Sequence, residues 1–258
     1  MRLIILAAGQ GTRLRPLTNH SPKCLVELGG KPMLEWQIES ARSAGIKDIV
    51  VIGGYQIERL HSYGVTLLEN PRFASTNMVQ TLFCAKFFFG EGFIMSYGDI
   101  VYSPFILKNL LVDQSDISVV VDRSWRSYWE LRMDNPLLDA ETLKIDHRGN
   151  LTEIGNKPNS FNEIEAQYIG LVSFRGNGVK QLTEAYDQAH LKQLRGENPF
   201  GGVRNLDGLY MTDLLQGMIK SGVSIKAHKI CENWLEVDSI EDLELANTLL
   251  KKGRINGT

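Results

Sequence analysis

The chain has 258 residues, a formal net charge of −2 and 43% hydrophobic residues. This length suits one large α/β domain with a substantial core or two small ones, and no Pro/Ser-rich or charged linker divides it. The small net charge offers none of the broad basic surface that nucleic-acid-binding proteins use. We therefore expect one domain over 1–258, with any affinity for phosphate confined to a local site.

The cysteines and the apolar runs bear on the compartment. Cys24, Cys84 and Cys231 are widely spread and form no C-x-x-C pair, which argues against a disulfide framework and a structural zinc site. No stretch of about 18 apolar residues predicts a membrane span, and the N-terminus does not have the pattern of a signal peptide. We expect a cytoplasmic protein without nucleic-acid or membrane partners; a monomer and a homodimer both stay open.

Strand-like and helix-like runs alternate through the first half of the chain. The predicted strands are 3–6, 49–52, 65–68, 93–95 and 117–121, and the predicted helices are 32–44, 56–62, 77–87 and 104–112. This alternation favours a mostly parallel sheet with right-handed crossovers. The fold class predicted is α/β, a Rossmann-like, mostly parallel mixed sheet flanked by helices.

The second half has a different pattern. We predict a hairpin over 143–154, a strand over 168–174, and helices over 178–192, 212–221 and 239–250. Between them, 196–208 is rich in Gly, Asn and Pro and has no periodicity, so it is expected to be a loop. A mobile lid over a site is one interpretation of a loop of this length.

The first loop carries groups suited to an anion. The apolar run 3–6 leads into Ala7-Ala8-Gly9-Gln10-Gly11-Thr12-Arg13, and Lys23 follows. Glycines let backbone N–H groups approach an anion closely, and the two cations would neutralise a polyphosphate. The spacing fits neither the dinucleotide nor the P-loop fingerprint, so from spacing alone an ordinary surface turn is the alternative.

Two acidic segments are candidates for a metal site. Asp99 follows the predicted strand 93–95, and carboxyl ends of parallel strands are where open α/β sheets bind ligands. Glu236 and Asp238 precede the last predicted helix. Mg²⁺ in phosphate chemistry needs one or two carboxylates with phosphate oxygens and water. The alternatives are a Gly-Asp turn at Asp99 and helix capping around Asp238.

The segment 122–129 combines aromatic and cationic side chains. Trp125, Tyr128 and Trp129 could hold an ammonium group by cation–π attraction. Arg123, Arg126 and Arg132 crowd the same stretch and would repel such a group, which favours a ligand bearing a phosphate or phosphonate with a carboxylate or a zwitterion. The alternative is that these aromatic residues pack a hairpin against the sheet.

Several of these motifs resemble one known family. The run L-A-A-G-x-G-T-R-L-x-P-L-T followed by P-K is similar to the opening signature of the nucleotidyltransferase (GT-A-like) superfamily, and the E-V-D-S form at 236–239 resembles the LicC-type phosphocholine cytidylyltransferase branch. The residues that the resemblance implies are Arg13 and Lys23 on the triphosphate; Ala7, Ala8, Gly9, Gly11 and Thr12 cradling it; Thr76 and Asn77 on the base; Asp99 and Asp238, supported by Glu236, on Mg²⁺; and Trp125, Arg126, Tyr128, Trp129, Tyr168 and Asp213 on the acceptor.

The resemblance also implies a reaction. It is the Mg²⁺-dependent transfer of CMP from CTP to a small phosphorylated or phosphonylated compound, such as phosphocholine, aminoethylphosphonate or phosphoglutamine, with release of pyrophosphate. The product would supply cell-surface polysaccharide decoration. The nucleotide half would cover about 1–121 and the acceptor half about 122–258. A sugar-1-phosphate nucleotidyltransferase is the alternative, and a non-catalytic nucleotide-binding subunit is a third hypothesis.

Overall fold

The structure, a computed structural model, describes residues 1–255. The strands are β1 (Arg2–Ala7), β2 (Glu27–Leu28), β3 (Lys31–Pro32), β4 (Ile49–Gly53), β5 (Thr66–Glu69), β6 (Gly92–Tyr97), β7 (Ile100–Tyr102), β8 (Ile117–Asp122), β9 (Leu143–Ile145), β10 (Leu151–Ile154), β11 (Gln167–Arg175), β12 (Lys226–Ile230) and β13 (Trp234–Glu236). The helices are α1 (Met33–Ser43), α2 (Met78–Phe83), α3 (Pro104–Val112), α4 (Trp125–Arg132), α5 (Asn177–Leu194), α6 (Met211–Lys220) and α7 (Ile240–Lys251).

Seven strands form the central sheet in the order β12-β8-β11-β6-β1-β4-β5. All neighbours are parallel except β11, which runs antiparallel to both β6 and β8. The predicted mixed, mostly parallel sheet is therefore confirmed. Small two-stranded ladders, β9 with β10 and β13 with β7, lie outside this sheet.

The sheet is covered on both faces, as its apolar strands require. Along β1, Leu3 and Ile5 belong to one hydrophobic core while Ile4 belongs to the other, because successive side chains of a strand point to opposite faces. Buried on both sides, such strands have nearly continuous apolar sequences. This explains why the first strand could be predicted from four consecutive apolar residues.

Some predicted elements differ from the observed ones. The helix predicted over 56–62 is a 3-10 helix over Ile57–Tyr63. The helix predicted over 77–87 ends at Phe83, and a separate 3-10 turn covers Lys86–Phe88. The aromatic segment, for which packing of a hairpin was the alternative, forms helix α4. The loop 196–208 is irregular as predicted but contains two 3-10 turns, Pro199–Gly201 and Leu206–Gly208.

The described part of the chain contains no helix that combines the length and the apolar character needed to cross a membrane. Its three cysteines, Cys24, Cys84 and Cys231, are all free thiols there.

Candidate active site

A cavity of about 160 Å³ lies at the edge of the sheet where β1 and β6 end. These two strands are parallel neighbours, with Leu6 paired to Tyr97, so the segments that follow them emerge side by side. The predicted nucleotide-binding residues that line the cavity are Ala7, Ala8, Gly9, Thr76 and Asn77, together with Lys23 and Asp99. Gly11 and Thr12 do not line it.

Two glycines allow the close approach of chain segments on which this arrangement depends. A Cβ at Gly98 would lie 2.7 Å from the carbonyl oxygen of Leu6, so only glycine lets the end of β6 pack against β1. Gly11 has a φ of +65° and a Cβ there would lie 2.8 Å from the Cβ of Lys23. The first glycine places Asp99 at the cavity, and the second lets the loop lie over Lys23.

The second acidic segment reaches the cavity through the β7–β13 ladder. Strand β7 begins directly after Asp99, and Glu236 pairs with Ile100 in antiparallel register. The ladder continues with a hydrogen bond that the Val237 N–H donates to the Asp99 carbonyl oxygen at 3.0 Å. Asp99 and Asp238 are thereby brought together although they are far apart in sequence.

Lys23 lies between these two carboxylates. Its Nζ is 2.7 Å from Oδ2 of Asp99 and also hydrogen-bonds Oδ1 of Asp238. Burial opposes the charged form of Lys23, but the two carboxylates outweigh it and raise its pKa above the ordinary value. Burial likewise opposes ionisation of Asp238, whose pKa is nevertheless lowered because Lys23, and then Arg13 and Arg132, favour the carboxylate.

Arg13 lies at the open side of the site. Its guanidinium is 3.1 Å from Oδ2 of Asp238, and its side chain is 66% exposed. An exposed ion pair of this kind contributes little to stability. The guanidinium is therefore free to turn towards an anion that enters from solvent.

The donor set fits a magnesium ion. Oδ1 of Asp99 is buried and has no hydrogen-bond partner among residues 1–255, and both carboxylates already converge on one cation. No cluster of three or more His, Cys, Asp or Glu side chains suited to a metal occurs in the described residues. Two carboxylates are sufficient for Mg²⁺ when substrate phosphates and water supply the other ligands.

Glu236, expected to support the metal, has a different partner. Its carboxylate is hydrogen-bonded to Arg132, whose side chain is only 3% exposed. The same guanidinium donates from Nε and Nη2 to the two carboxylate oxygens of Asp242, at 2.8 and 3.1 Å. Glu236 thus takes part in an ion pair that holds β13 against α4, and its supporting role at the metal stays a prediction.

Asp242 links this ion pair to Asp238. Its Oδ2 accepts hydrogen bonds from the backbone N–H groups of Asp238 and Ser239, both at 3.1 Å. Ser239 in turn caps α7 by accepting from the Asp242 N–H, which completes a capping box. The capping alternative considered for this segment is thus correct for Ser239, and the cap also fixes the backbone that carries Asp238.

The aromatic residues of α4 are part of the core. Trp125, Tyr128 and Trp129 are each 4% exposed or less, and the rings of Tyr128 and Trp129 contact Trp234. The guanidinium carbon of Arg132 lies 5.2 Å from the centre of the Trp129 ring. The rings of Tyr128 and Trp129, which were expected to bind an acceptor cation, therefore lie against an arginine of the chain itself. The burial of all three rings corrects that expectation, because buried rings present no face to a ligand.

Arg126, also expected on the acceptor side, points away from this cluster. It is paired with Glu130 at 2.8 Å and stacks over Phe161 at 4.2 Å, with 57% of its side chain exposed. It does not line the cavity.

Replacing Arg132 by methionine is expected to lower the free energy of unfolding by about 3 to 5 kcal/mol, because removing one partner of a buried ion pair leaves carboxylates unpaired. Arg126→Met on the same helix is the matched control, with a change of at most about 1 kcal/mol for its exposed pair. Urea unfolding measures both. Equal losses in the two variants would contradict the role assigned to Arg132.

The wall of the cavity that Thr76 and Asn77 form is attached to the loop 196–208. The Asn77 N–H donates to the carbonyl oxygen of Asp207 at 2.8 Å, and the Asp207 carboxylate is bonded to Arg72 and to Gln80. Asn77 also caps α2 with its side chain. Asn77 thus caps a helix and also lines the cavity.

The remaining residues predicted to contact the acceptor are Tyr168 on β11 and Asp213 on α6. The Tyr168 ring stands edge-on to Tyr97, with 5.7 Å between ring centres. Asp213 belongs to the capping box of α6 and is paired with Arg204 at 2.9 Å. Near both lies Glu141, which sequence reasoning did not single out.

The fold and this geometry together define a class. A mixed sheet covered on both faces, with a glycine-lined cavity at the ends of two parallel strands and a lysine held between two carboxylates, is the architecture of a nucleotidyltransferase. Comparison with known families agrees: residues 3–147 match the MobA-like NTP transferase domain. The chain belongs to that family.

Individual relatives extend the match to nearly the whole chain. It is 40% identical to a CTP:phosphoglutamine cytidylyltransferase of Campylobacter jejuni, over 95% of this chain and 98% of that protein. It is 38% identical to a 2-aminoethylphosphonate cytidylyltransferase of Lancefieldella rimae, over 74% of this chain and 75% of that protein. The solved structure of CTP:phosphocholine cytidylyltransferase from Streptococcus pneumoniae has the same fold, with a TM-score of 0.74 and 24% identity over 96% of this chain and 98% of that one.

Proposed function

We propose that this protein transfers CMP from CTP to a small phosphorylated or phosphonylated compound that carries a nitrogen, with release of pyrophosphate. The observation that carries the proposal is the shared contact of Lys23 with Asp99 and Asp238 beside the glycine-lined cavity. Two relatives that match most of the chain are cytidylyltransferases of phosphoglutamine and of 2-aminoethylphosphonate. They support the choice of CTP as the nucleotide and of this acceptor class.

The reaction is a displacement at phosphorus. A phosphate or phosphonate oxygen of the acceptor attacks the α-phosphorus of CTP, the bond from this phosphorus to the bridging oxygen breaks, and pyrophosphate leaves with that oxygen. Such a transfer requires alignment and charge stabilisation more than covalent help from the protein. Lys23 and Arg13 supply positive charge, and the backbone N–H groups of the segment 7–12 orient the triphosphate.

Asp99 and Asp238 are the residues that would hold Mg²⁺. When bound, the ion would neutralise charge that develops on the phosphate oxygens. Lys23 compensates the charge of the two carboxylates and keeps them close together, as a divalent cation between them would.

The chain is assigned to the two substrates as follows. Residues of about 1–121 bind the nucleotide, with Thr76 and Asn77 at the base, and about 122–258 bind the acceptor, with Tyr168 and Asp213 among its contacts. The three free thiols are compatible with a cytoplasmic location. The same proposal includes a role for the product: it would supply an activated group for the decoration of cell-surface polysaccharide. The proposal is compatible with a homodimer.

A substrate panel tests it. The protein is incubated with Mg²⁺, each of the common nucleoside triphosphates, and phosphocholine, 2-aminoethylphosphonate, phosphoglutamine or glucose 1-phosphate, while pyrophosphate release and the product mass are measured. We expect turnover with CTP and a nitrogen-bearing acceptor. If glucose 1-phosphate were the one acceptor that supported turnover, the protein would be a sugar-1-phosphate nucleotidyltransferase. If none of the acceptors supported turnover, the result would favour a non-catalytic subunit.

A further inference from the structure

Glu141 is a partly buried carboxyl group without a counter-ion. Its only side-chain hydrogen bond within residues 1–255 is one that Oγ1 of Thr212 donates at 3.4 Å, and no Lys or Arg of this part of the chain forms a salt bridge with it. Acidic side chains withdrawn from water are normally paired. A carboxyl group left in this condition is a candidate for binding a ligand.

The position of Glu141 is fixed by its backbone. Gln167 at the start of β11 accepts from the Glu141 N–H at 3.0 Å and donates to its carbonyl oxygen at 2.6 Å. Thr212 on α6, the residue that donates to the carboxyl, is itself buried against Gly155. Gln167 therefore fixes the backbone of Glu141, and Thr212 contacts its carboxyl group.

The same region contains a second polar group without a partner. The hydroxyl of Tyr168, one residue beyond Gln167, is buried and lies beside the hydroxyl of Tyr97, without a well-formed hydrogen bond to any described residue. Glu141 and Asp99 both lie close enough to influence the ionisation of this hydroxyl. The ring of Tyr168 meets that of Tyr97, which lines the nucleotide cavity. Neither Glu141 nor Tyr168 lines that cavity, so both lie beyond Tyr97, in the part of the chain that is proposed to bind the acceptor.

Glu141 has no cationic partner among the described residues, whereas the acidic groups around it have partners of their own. Asp213 on α6 is paired with Arg204, and Asp139 accepts a hydrogen bond from Nε1 of Trp129 at 2.9 Å. Burial raises the pKa of Glu141 to about 7, the negative charges of Asp213 and Asp139 add to the rise, and Arg204 and the hydrogen bond from Thr212 oppose it. A positively charged ligand at this position would supply what the protein does not.

We infer that Glu141 and Tyr168 form the subsite for the nitrogen end of the acceptor, with Glu141 selecting acceptors that carry an ammonium group. The inference rests on the proposed function, whose reaction centre at Lys23 and Asp99 receives the phosphorus end of the same molecule. A sugar 1-phosphate has no cationic group to place beside Glu141, so this residue determines the choice between the two acceptor classes.

The test compares Glu141→Gln with the unmodified protein on two acceptors that differ in one group, 2-aminoethylphosphonate and ethylphosphonate. For the amine, KM of the variant is expected to rise at least about tenfold through loss of a charge-assisted contact, while KM for CTP stays unchanged. The preference for the amine over ethylphosphonate should largely disappear. Glu153→Gln, which removes a carboxylate paired with Lys144 in the β9–β10 hairpin, is the matched control and should keep both KM values.

The pH dependence supplies a second measurement. Because Glu141 becomes charged as the pH rises through about 7, the ratio of kcat/KM for the amine between unmodified protein and variant should increase from pH 6 to pH 8. Taking the ratio cancels the ionisation of the substrates. A ratio that is flat with pH and near one would overturn the inference.

Folding is not at risk in Glu141→Gln, because the change removes a charge that burial disfavours, and Tyr168→Phe provides a second variant that deletes one hydroxyl only. Equal amine KM values in the unmodified protein and both variants would contradict the subsite and leave the proposed function intact. Absence of CMP transfer to nitrogen-bearing acceptors by the unmodified protein would instead contradict the proposed function.

Discussion

Asp99→Asn is expected to lower kcat about 1000-fold, because the carboxylate helps hold a metal whose charge stabilisation is worth several kcal/mol, and about 1.4 kcal/mol corresponds to a factor of ten. Asparagine keeps the shape of the side chain, so the fold should be retained. The concentration of Mg²⁺ needed for half-maximal activity should also rise, since one negative ligand is lost. Pyrophosphate release over a range of Mg²⁺ concentrations measures both quantities.

The control for this variant is Asp134→Asn, an exposed aspartate just beyond α4. It changes the charge of the protein equally and should leave kcat and the Mg²⁺ requirement as they were. If Asp99→Asn also kept a normal kcat and a normal Mg²⁺ requirement, the metal site proposed here would be wrong.

Lys23→Ala is expected to have two separate effects. It removes a cation from the transition state, which should reduce kcat at least about 100-fold. It also removes the one cation that contacts both Asp99 and Asp238, so the two carboxylates repel each other more strongly, although Arg13 and Arg132 still lie beside Asp238. The thermal unfolding midpoint of the variant should therefore fall in the presence of a chelator and recover when Mg²⁺ is added.

Lys86→Ala is the matched control, since Lys86 forms an exposed pair with Asp187 at 3.1 Å. Its unfolding midpoint should not depend on Mg²⁺ any more than that of the unmodified protein does. A near-normal kcat in Lys23→Ala would refute the catalytic role of the lysine, and a midpoint insensitive to Mg²⁺ would refute its role as the compensating charge.

The parts of the site that could be predicted are those written in contiguous sequence. The loop 7–13 follows a strand of consecutive apolar residues, and Asp99 follows another such strand, so topology alone places both at one edge of the sheet. Asp238 could be selected only through the resemblance, because its approach to Asp99 depends on a three-residue ladder between β7 and β13.

The error over the aromatic residues has an identifiable cause. Positions 125, 128, 129 and 132 recur at the i, i+3, i+4 and i+7 spacing of one helix face. That spacing predicts an amphipathic helix with its aromatic side buried, and it also places Arg132 on the buried face. Giving weight to the periodicity would have indicated packing before ligand binding.

Glu141 gave no such signal, and for Asp242 the sequence indicated only a role at the start of the last helix. Both contact residues that are distant in the chain: Thr212 for Glu141 and Arg132 for Asp242. An isolated acidic residue is most often an exposed one, and only the packing of α6, β11 and α4 shows that these two are not. Long-range contacts of this kind are not encoded in any local pattern.

The β7–β13 ladder joins two carboxylates that lie far apart in the chain. Every residue that lines the cavity precedes residue 100, whereas Asp238 follows β13. The separation of Asp99 and Asp238 therefore depends on three backbone pairs and on the hydrogen bond from the Val237 N–H to the Asp99 carbonyl oxygen. A substitution that disrupts this short pairing would move the two carboxylates apart while leaving the wall of the cavity unchanged in sequence.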